Sequence, residues 1–460
     1  MSLNRRYFFC GIGGSGMLPL ALILKGKGAE ISGSDRSRDQ GRTPEKFAFL
    51  EANGISLYPQ DGSGVVDPAA TVVVSAAIES SVPDVAAAQR IGAVIETRAQ
   101  LLAKLFNASH CAIAVAGTSG KSTTTGMLGW ILSATGRAPT IMNGAVMKNF
   151  VRPEIPFASA VVGKSDTFVS EVDESDGSIA LYNPNIAVLN NIAHDHKSME
   201  ELRALFRAFL GRATTAVVNL DNAEAAALKG ANAITFSLKD PSAHFYGHDL
   251  SPAQDGISFA VREGTHEARL KLRVPGRHNV ANGLAALAAA RAAGVALGDA
   301  AEALSHFEGV KRRMDVVGTA KGVTVIDDFA HNPDKITATL STLHDFPGRL
   351  LVMFQPHGYG PLKMMREDFI DTFARELGPD DVLVMPEPVY FGGTVDRDIS
   401  SSEITTAVAT RGRQAFAFAD RKACGENLLS LALPGDRIVV MGARDDTLSQ
   451  FAAELLASYS

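Results

Sequence analysis

Short apolar runs recur along the chain, and glycine turns or polar segments separate them from longer mixed segments. Runs of this length are typical of buried strands, and the longer segments are typical of helices. Among the first hundred residues the pattern predicts strands at 6–10, 29–33 and 71–76, and helices at 15–26, 85–91 and 97–106. This alternation of strand and helix indicates a parallel, doubly wound sheet.

The same alternation appears twice more along the chain. Strands are predicted at 111–116, 168–171, 186–190 and 216–219, followed by an alanine-rich helix at 279–293. A third series has strands at 323–328, 350–354, 382–385 and 437–441. Because each series can form its own sheet and core, the sequence predicts an α/β protein of three domains.

Composition narrows the functional classes. The 460 residues are 46% hydrophobic, and the formal net charge is −6 without a run of Lys or Arg, so a nucleic-acid interface is not expected. No apolar stretch reaches the ~18 residues that a membrane helix needs. The three cysteines, Cys10, Cys111 and Cys424, are far apart and form no C-x-x-C pair. We therefore expect a cytoplasmic monomer or homodimer that binds neither nucleic acid nor membrane.

A glycine-rich loop, Gly11-Ile12-Gly13-Gly14-Ser15-Gly16, lies between the first predicted strand and helix. Backbone N–H groups at such a turn, together with the helix N-terminus, can hold a pyrophosphate. Asp35 comes at the end of the next strand, where a ribose-binding acid is expected. Taken alone, this loop fits an NAD-dependent oxidoreductase, and a tight turn with close packing is the purely structural alternative.

A second glycine loop, Gly117-Thr118-Ser119-Gly120-Lys121-Ser122-Thr123-Thr124, follows the strand predicted at 111–116. Here Lys121 can neutralise the β- and γ-phosphates of a nucleoside triphosphate, Ser122 can ligate magnesium, and loop N–H groups can cradle phosphate oxygens. The loop departs from the strict G-x-x-x-x-G-K-[ST] pattern because Val115 occupies the first glycine position. It nevertheless predicts a P-loop-type ATPase domain.

Several motifs, in chain order, resemble those of the Mur ligase family. The second loop is similar to the family's G-T-x-G-K-[ST]-T-T loop for ATP. The resemblance continues at 170–176, 190–196, 275–282, 307–313 and 327–333. It therefore covers nearly the whole chain.

The resemblance implies a role for each predicted domain. Residues 1–108 are expected to form a Rossmann-like UDP-sugar-binding domain, residues 109–312 the central ATP-binding domain, and residues 313–460 a Rossmann-like domain that closes on the amino acid and the nucleotide. The implied UDP-sugar contacts are Gly11, Gly13, Gly14, Ser15, Gly16, Ser34, Asp35 and Ser75. The implied ATP contacts are Gly117, Thr118, Ser119, Gly120, Lys121, Ser122, Thr123, Asn282, Arg313 and Asp328.

The resemblance also implies the catalytic and metal groups. Lys121, Glu171 and His196 are the expected catalytic residues, and Ser122, Glu171 and His196 are the expected magnesium site. Magnesium prefers oxygen ligands, so Glu171 is chemically the more natural of the last two. The acidic cluster around Glu174 is expected either to be a solvated turn or to serve metal or substrate.

This sequence departs from the family where the incoming amine binds. Family members that join alanine to muramate have a histidine in the phosphate loop where this chain has Ser119. Their amino-acid pocket has a tyrosine and two arginines at positions where this chain has Phe329, Gly358 and Pro361. Because arginine binds a carboxylate through two parallel hydrogen bonds, a carboxylate clamp is expected to be missing. The amine is assigned to Phe329, His331 and His357.

The resemblance implies an ATP-dependent ligase that joins an amino acid, by default L-alanine, to the carboxylate of UDP-N-acetylmuramate through an acyl phosphate, in peptidoglycan synthesis. The alternatives are a ligase that adds a peptide or another amino acid to a similar acceptor, an NAD-dependent oxidoreductase, and a non-catalytic nucleotide-binding regulator. ATP and Mg²⁺ are the expected cofactors.

Overall fold

The computed structural model describes residues 6–75, 81–194, 197–253, 256–389, 397–443, 445 and 447–459. Three sheets organise these residues, in agreement with the predicted α/β fold of three domains. The described chain divides into two compact units. The first carries most of the first two sheets and runs to Val310, and the second contains the third sheet and the chain from Lys311 onward.

The first sheet has the strand order β3-β2-β1-β4-β5, and its paired strands are parallel. Its strands are β1 (Arg6–Cys10), β2 (Glu30–Ser34), β3 (Ser56–Tyr58), β4 (Thr71–Val74) and β5 (Val94–Thr97). Its helices are α1 (Met17–Gly26), α2 (Arg36–Asp39), α3 (Pro44–Ala52), α4 (Pro83–Ile91) and α5 (Arg98–Asn107). The order reverses between β1 and β4, so a crevice for a ligand is expected at the carboxyl ends of these strands.

The second sheet has the order β15-β14-β13-β12-β11-β10-β6-β9-β7-β8. Its strands are β6 (Cys111–Ala116), β7 (Thr140–Met142), β8 (Ala160–Val161), β9 (Thr167–Glu171), β10 (Ile186–Leu189), β11 (Thr215–Asn219), β12 (Ile234–Ser237), β13 (Phe245–Ala253), β14 (Gly256–Glu263) and β15 (His266–Leu272). Its helices are α6 (Lys121–Ala134), α7 (Met199–Gly211), α8 (Ala223–Ala226), α9 (Arg277–Ala292) and α10 (Leu297–Ser305). The central strands are parallel, whereas β8 pairs antiparallel with β7.

The third sheet has the order β16-β17-β21-β18-β19-β20. Its strands are β16 (Asp315–Ala320), β17 (Val323–Asp328), β18 (Leu350–Gln355), β19 (Val382–Pro386), β20 (Gln414–Phe418) and β21 (Arg437–Gly442). Its helices are α11 (Pro333–His344), α12 (Tyr359–Met364), α13 (Arg366–Glu376), α14 (Ser401–Thr410), α15 (Arg421–Leu431) and α16 (Leu448–Tyr459). Only the edge strand β16 runs antiparallel to its neighbour among the described pairs.

The first two domains share one hydrophobic core. Phe106 of α5 packs edge-on against Phe168 of β9 and against Tyr182, with ring centroids 5.8 and 5.2 Å apart. All three rings are almost fully buried. This packing joins the first domain to the central domain through one continuous core.

No helix in the described part of the chain is both long and apolar enough to cross a membrane.

Candidate active site

The second glycine loop joins the central strand β6 to helix α6. Gly117 and Gly120 have φ values of +136° and +83°, which side-chain-bearing residues rarely adopt. A Cβ atom at Gly117 would lie 3.0 Å from the backbone N and O of Asn191, and one at Gly120 would collide with the Asn282 side chain. Glycine is therefore required at both positions by φ and by close packing.

Lys121 is the first residue of α6, and its ammonium group is held by two oxygens. Its Nζ atom donates to the Gly117 carbonyl at 2.8 Å and to Glu174 Oε2 at 2.9 Å. Burial lowers the pKa of Lys121, but the charges of Glu174, Asp173 and Glu171 outweigh burial, and the pKa is raised. Lys121 is therefore a permanently charged group at the phosphate loop.

Ser122 and Glu171 form an oxygen pair beside this lysine. The Ser122 hydroxyl donates to Glu171 Oε2 at 2.7 Å, and the Asn143 amide donates to the Ser122 carbonyl at 2.9 Å. A hydroxyl and a carboxylate are suitable ligands for Mg²⁺, which is usually bound by one or two protein oxygens together with phosphates and water. The described residues contain no cluster of three or more His, Cys, Asp or Glu side chains able to hold a metal. The donor set therefore suits a magnesium ion that arrives with phosphate.

Asn191 clamps the loop and was not singled out by the sequence. Its Oδ1 atom accepts from the Ser119 N–H at 2.9 Å, and its Nδ2 atom donates to the Ser119 carbonyl at 3.0 Å. The Thr118 N–H donates to the Asn191 carbonyl at 3.1 Å, and the Thr118 hydroxyl lies 3.0 Å from the Ala193 nitrogen. The segment after β10 thus holds both loop residues in place.

Asn282 lies beneath the loop, on helix α9. Its Oδ1 atom accepts from the Thr124 hydroxyl at 3.3 Å, and the buried Asn190 amide donates to the same hydroxyl oxygen at 2.9 Å. Thr123 is also buried in the first turn of α6. The side chain of Asn282 therefore supports Gly120 and Thr124 from below in this structure.

The acidic segment after β9 forms a turn that is fixed from within. Asp173 accepts from the Ser175 N–H at 2.9 Å, and Asp176 accepts from the Ser178 N–H at 2.8 Å. Glu174 is buried and pairs with Lys121. Burial raises the pKa of Glu174 even though Lys121 acts in the opposite direction.

The first glycine loop joins β1 to α1 in the same way. The Gly11 and Ile12 N–H groups donate to the Ser34 carbonyl at 2.8 and 2.9 Å, and the Gly13 N–H donates to Asp35 Oδ2 at 2.8 Å. Asp35 also caps α2 through the Ser37 N–H. Its two carboxylate oxygens are therefore occupied by the backbone in this structure.

A buried acid that the sequence did not indicate supports this loop from below. Asp84 is fully buried, and it accepts hydrogen bonds from the Ser34 hydroxyl, the Gly62 N–H and the Cys10 thiol. Burial first, and then Asp84, raises the pKa of Cys10 to about 12. Asp84 thus ties together the ends of β1 and β2, where Gly11 and Ser34 lie.

Ser15 and Gly16 complete the loop before α1 begins. Within the described residues, their N–H groups make no hydrogen bond, whereas the Gly14 N–H donates to the Gly11 carbonyl. The N–H groups of Ser15 and Gly16 are therefore available to a ligand at the start of α1. Ser75 lies just after β4, on the same edge of the sheet.

In the C-terminal domain, Asp328 and Arg313 lie at the carboxyl end of β17 and just before β16. Asp328 is buried and accepts from the Met314 N–H at 2.8 Å and from the Thr339 hydroxyl at 2.6 Å. The guanidinium of Arg313 lies 4.6 Å from the Phe329 ring centroid, and that of Arg312 lies 5.0 Å from it. Two cationic side chains therefore pack against one aromatic ring.

The three residues assigned to the amine do come together. The His331 ring lies edge-on to those of Phe329 and His357, with centroids 5.3 Å apart in both pairs. Burial lowers the pKa of His331 to about 3, assisted by the charge of Lys335. His331 is therefore neutral at physiological pH, and two arginine side chains lie beside the cluster.

His196, the remaining catalytic and metal candidate, lies outside the described residues. On the exposed surface of the C-terminal domain, Lys363 and Arg366 form ion pairs with Asp398 and Glu367 respectively.

The fold and the site define a class: a multidomain α/β protein with a pyrophosphate-type loop on one parallel sheet and a triphosphate-type loop on the next. Models of three domains match the chain: the Mur ligase family catalytic domain at residues 6–110, the Mur ligase middle domain at 115–290, and the Mur ligase glutamate ligase domain at 312–444. The chain belongs to the Mur ligase family. All three matches are to Mur ligase domains, so the first loop is not evidence for an NAD-dependent oxidoreductase.

Individual relatives span almost the whole chain. A UDP-N-acetylmuramate–L-alanine ligase from Synechococcus sp. (strain JA-3-3Ab) is 35% identical over 99% of this chain and 86% of its own length. An enzyme of the same name from Pelotomaculum thermopropionicum is 33% identical over 97% and 96%. The crystal structure of UDP-N-acetylmuramate-alanine ligase from Thermotoga maritima is similar with a TM-score of 0.81, 25% identity and 99% coverage of both chains.

Proposed function

We propose that this protein is an ATP-dependent ligase that joins L-alanine to the carboxylate of UDP-N-acetylmuramate in peptidoglycan synthesis. Full-length relatives that carry this activity in their names support the substrates. The observation that carries the reaction type is the arrangement of Lys121, Ser122 and Glu171 at the phosphate loop. We expect the enzyme to act in the cytoplasm as a monomer or a homodimer.

The reaction is proposed to take place in two steps. A carboxylate oxygen of the acceptor attacks the γ-phosphorus of ATP, the bond from that phosphorus to the β,γ-bridging oxygen breaks, and ADP leaves. The neutral amine of alanine then attacks the acyl carbon, inorganic phosphate leaves, and the amine loses a proton as the amide forms. Phosphoryl transfer of this kind requires charge neutralisation and positioning more than covalent help from the protein.

The phosphate-loop residues have distinct roles in this proposal. Lys121 neutralises the β- and γ-phosphates, and its permanent charge comes from the acidic residues around it. Ser122 and Glu171 would hold magnesium, which would supply further charge neutralisation. Because the Thr118 and Ser119 N–H groups donate to Asn191, the phosphate oxygens are assigned to the N–H groups of Gly120 and Lys121. His196 remains a prediction for the same metal site.

The acceptor is assigned to the first glycine loop. Ser15 and Gly16 offer two unused N–H groups at the start of α1, where the helix dipole favours an anion such as the UDP diphosphate. Gly11, Gly13, Gly14, Ser34, Asp35 and Ser75 line the same carboxyl edge of the first sheet. The Asp35 carboxylate must leave the Gly13 or the Ser37 N–H if it is to bind ribose.

The amine and the adenine side are assigned to further residues. Arg313 and Asp328 are proposed to reach the nucleotide, and Asn282 is proposed to lie near the adenine. Phe329, His331 and His357 are proposed to surround the amine, and the neutral imidazole of His331 does not repel its ammonium form.

The proposal is tested by measuring phosphate release from ATP in the presence of Mg²⁺ and UDP-N-acetylmuramate. Single amino acids and the stem tripeptide are supplied in turn as the amine. We expect release that depends on L-alanine, with an amide product identified by mass. Release that depends on the tripeptide alone would show that the protein is a ligase that adds a peptide to the acceptor. ATP binding without amine-dependent release would favour a regulator.

A further inference from the structure

Arg98 lies between the first glycine loop and the acidic turn after β9. It is the first residue of α5, and a reciprocal pair of hydrogen bonds between Thr97 and Gln100 fixes the start of that helix. Its side chain crosses Gly16, so that a Cβ atom at Gly16 would lie only 2.9 Å from Arg98 Cδ and 3.1 Å from Nε. The last glycine of the first loop therefore makes room for this arginine.

The guanidinium of Arg98 also faces the acidic turn of the central domain. Its Nη2 atom lies 3.5 Å from Asp176 Oδ2, and both side chains are about a quarter exposed, at 25% and 26%. The other oxygen of Asp176 is engaged by the Ser178 N–H. Among the described residues, Asp176 is the ionic partner of Arg98, and at this distance the pair is looser than a bidentate one.

A guanidinium carries five N–H donors in a fixed fork, so one loose contact leaves most of them available. The nearest unused backbone donors, the N–H groups of Ser15 and Gly16, belong to the loop that Arg98 crosses. Together they present a cation and two amides to the same small volume at the start of α1.

We infer that Arg98 binds the diphosphate of the acceptor through its guanidinium, with Asp176 holding the side chain in place until the acceptor arrives. The inference rests on the proposed function, since it assigns a nucleoside-diphosphate-linked acceptor to the first loop. It accounts for a glycine at position 16 that neither the turn nor a positive φ requires. Arg98 is thus a binding residue that the sequence did not single out.

Calorimetric titration with UDP-N-acetylmuramate and with UDP, both without ATP, tests this inference. Arg98→Ala is expected to weaken binding of both ligands by about ten- to a hundredfold, because a charge-assisted contact to a partly desolvated anion is lost. Arg98→Lys keeps the charge without the fork and should lose less, and it carries the test if the alanine variant fails to fold. Arg90→Ala, at an exposed position on α4, is the matched control and should bind as the wild type does.

The Asp176→Asn variant distinguishes a ligand-binding role of Arg98 from a role limited to its ion pair with Asp176. The variant's amide oxygen still accepts from Ser178, so we expect acceptor affinity within about threefold of the wild type, as for loss of a loose, partly exposed ion pair. An equal loss of affinity in Arg98→Ala and Asp176→Asn would overturn the inference, and so would an unchanged affinity in Arg98→Ala. A loss for UDP-N-acetylmuramate but not for UDP would overturn the assignment to the diphosphate. If the wild type binds neither ligand, the proposed function itself fails.

In steady-state assays, Arg98→Ala should raise the KM for the acceptor by a similar factor while the KM for ATP stays within about twofold. A fall in kcat with unchanged KM values would contradict a binding role.

Discussion

Replacing Lys121 by alanine perturbs both the chemistry and the stability of the site. The ammonium is the cation held at the phosphate loop by Gly117 and Glu174. Removing a preorganised group that stabilises transition-state charge costs about 10²–10³-fold in kcat. The substitution also leaves Glu174, whose side chain is only 6% exposed, without its ion-pair partner.

The stability cost of that unpaired carboxylate has an upper limit, because Glu174 can take up a proton. At about 1.4 kcal/mol per pH unit above an ordinary glutamate pKa of 4.5, protonation limits the cost to about 3.5 kcal/mol at pH 7 and to under about 1 kcal/mol at pH 5. The sign follows because a carboxyl group whose folded-state pKa is raised destabilises the fold above its unfolded-state pKa, and the penalty stops growing above the folded-state pKa. The penalty is relieved as the pH falls towards the unfolded value.

Urea unfolding at pH 5 and pH 7, together with phosphate release, measures both effects. Lys121→Ala should be destabilised more at pH 7 than at pH 5, and Lys121→Ala combined with Glu174→Gln should recover stability without recovering activity. Lys422→Ala, which removes an exposed partner of Glu426, is the control and should change stability by less than about 0.5 kcal/mol. Recovery of activity in the double variant, or full activity in Lys121→Ala, would refute the assigned role.

Three further predictions concern other parts of the site. Glu171→Gln should raise the Mg²⁺ concentration needed for half-maximal phosphate release by about tenfold or more, since a metal ligand loses its charge; an unchanged Mg²⁺ dependence would exclude Glu171 as a ligand. Gly120→Ala should cost about 1–3 kcal/mol and abolish binding of a non-hydrolysable ATP analogue in calorimetry, because of its positive φ and of crowding against Asn282. Gly136→Ala, which has a similar φ of +77° and open space around it, should be destabilised but bind the analogue normally. Because the pKa of His331 is lowered to about 3, the unfolded protein takes up a proton at this histidine first, and the free energy of unfolding falls as the pH drops below about 6.5. In urea titrations, His331→Gln should remove up to about 2 kcal/mol of that loss at pH 5. An identical pH dependence in both proteins would contradict the burial of a neutral histidine.

The buried strands and the glycine loops could be predicted from the sequence because each is a local signal. The apolar run at 111–116 matches β6 residue for residue, and the run at 323–328 matches β17. A strand rich in Val, Ile and Ala between turns is recognisable wherever it lies in the chain. Strands at the edges of the sheets, such as β15 and β16, are not predicted, since their polar and exposed residues lack that pattern.

The side chains that organise the loops could not be predicted in the same way, because their partners are far apart in the chain. Asn191 reaches Ser119 across 72 positions, and Asp84 reaches Ser34 across 50. An asparagine after a strand or an aspartate in the first turn of a helix has an ordinary local explanation as a turn or capping residue. Only the parallel pairing of strands brings these residues under the glycine loops.

The central claim is that the acceptor carboxylate is phosphorylated before the amine attacks. The test uses acceptor whose carboxylate is labelled with ¹⁸O. The enzyme turns it over with ATP, Mg²⁺ and L-alanine, and the released phosphate is analysed by mass. We expect one ¹⁸O atom in each released phosphate, because the carboxylate oxygen that attacks phosphorus departs as part of the phosphate. Amide formation with unlabelled phosphate would contradict the acyl-phosphate mechanism.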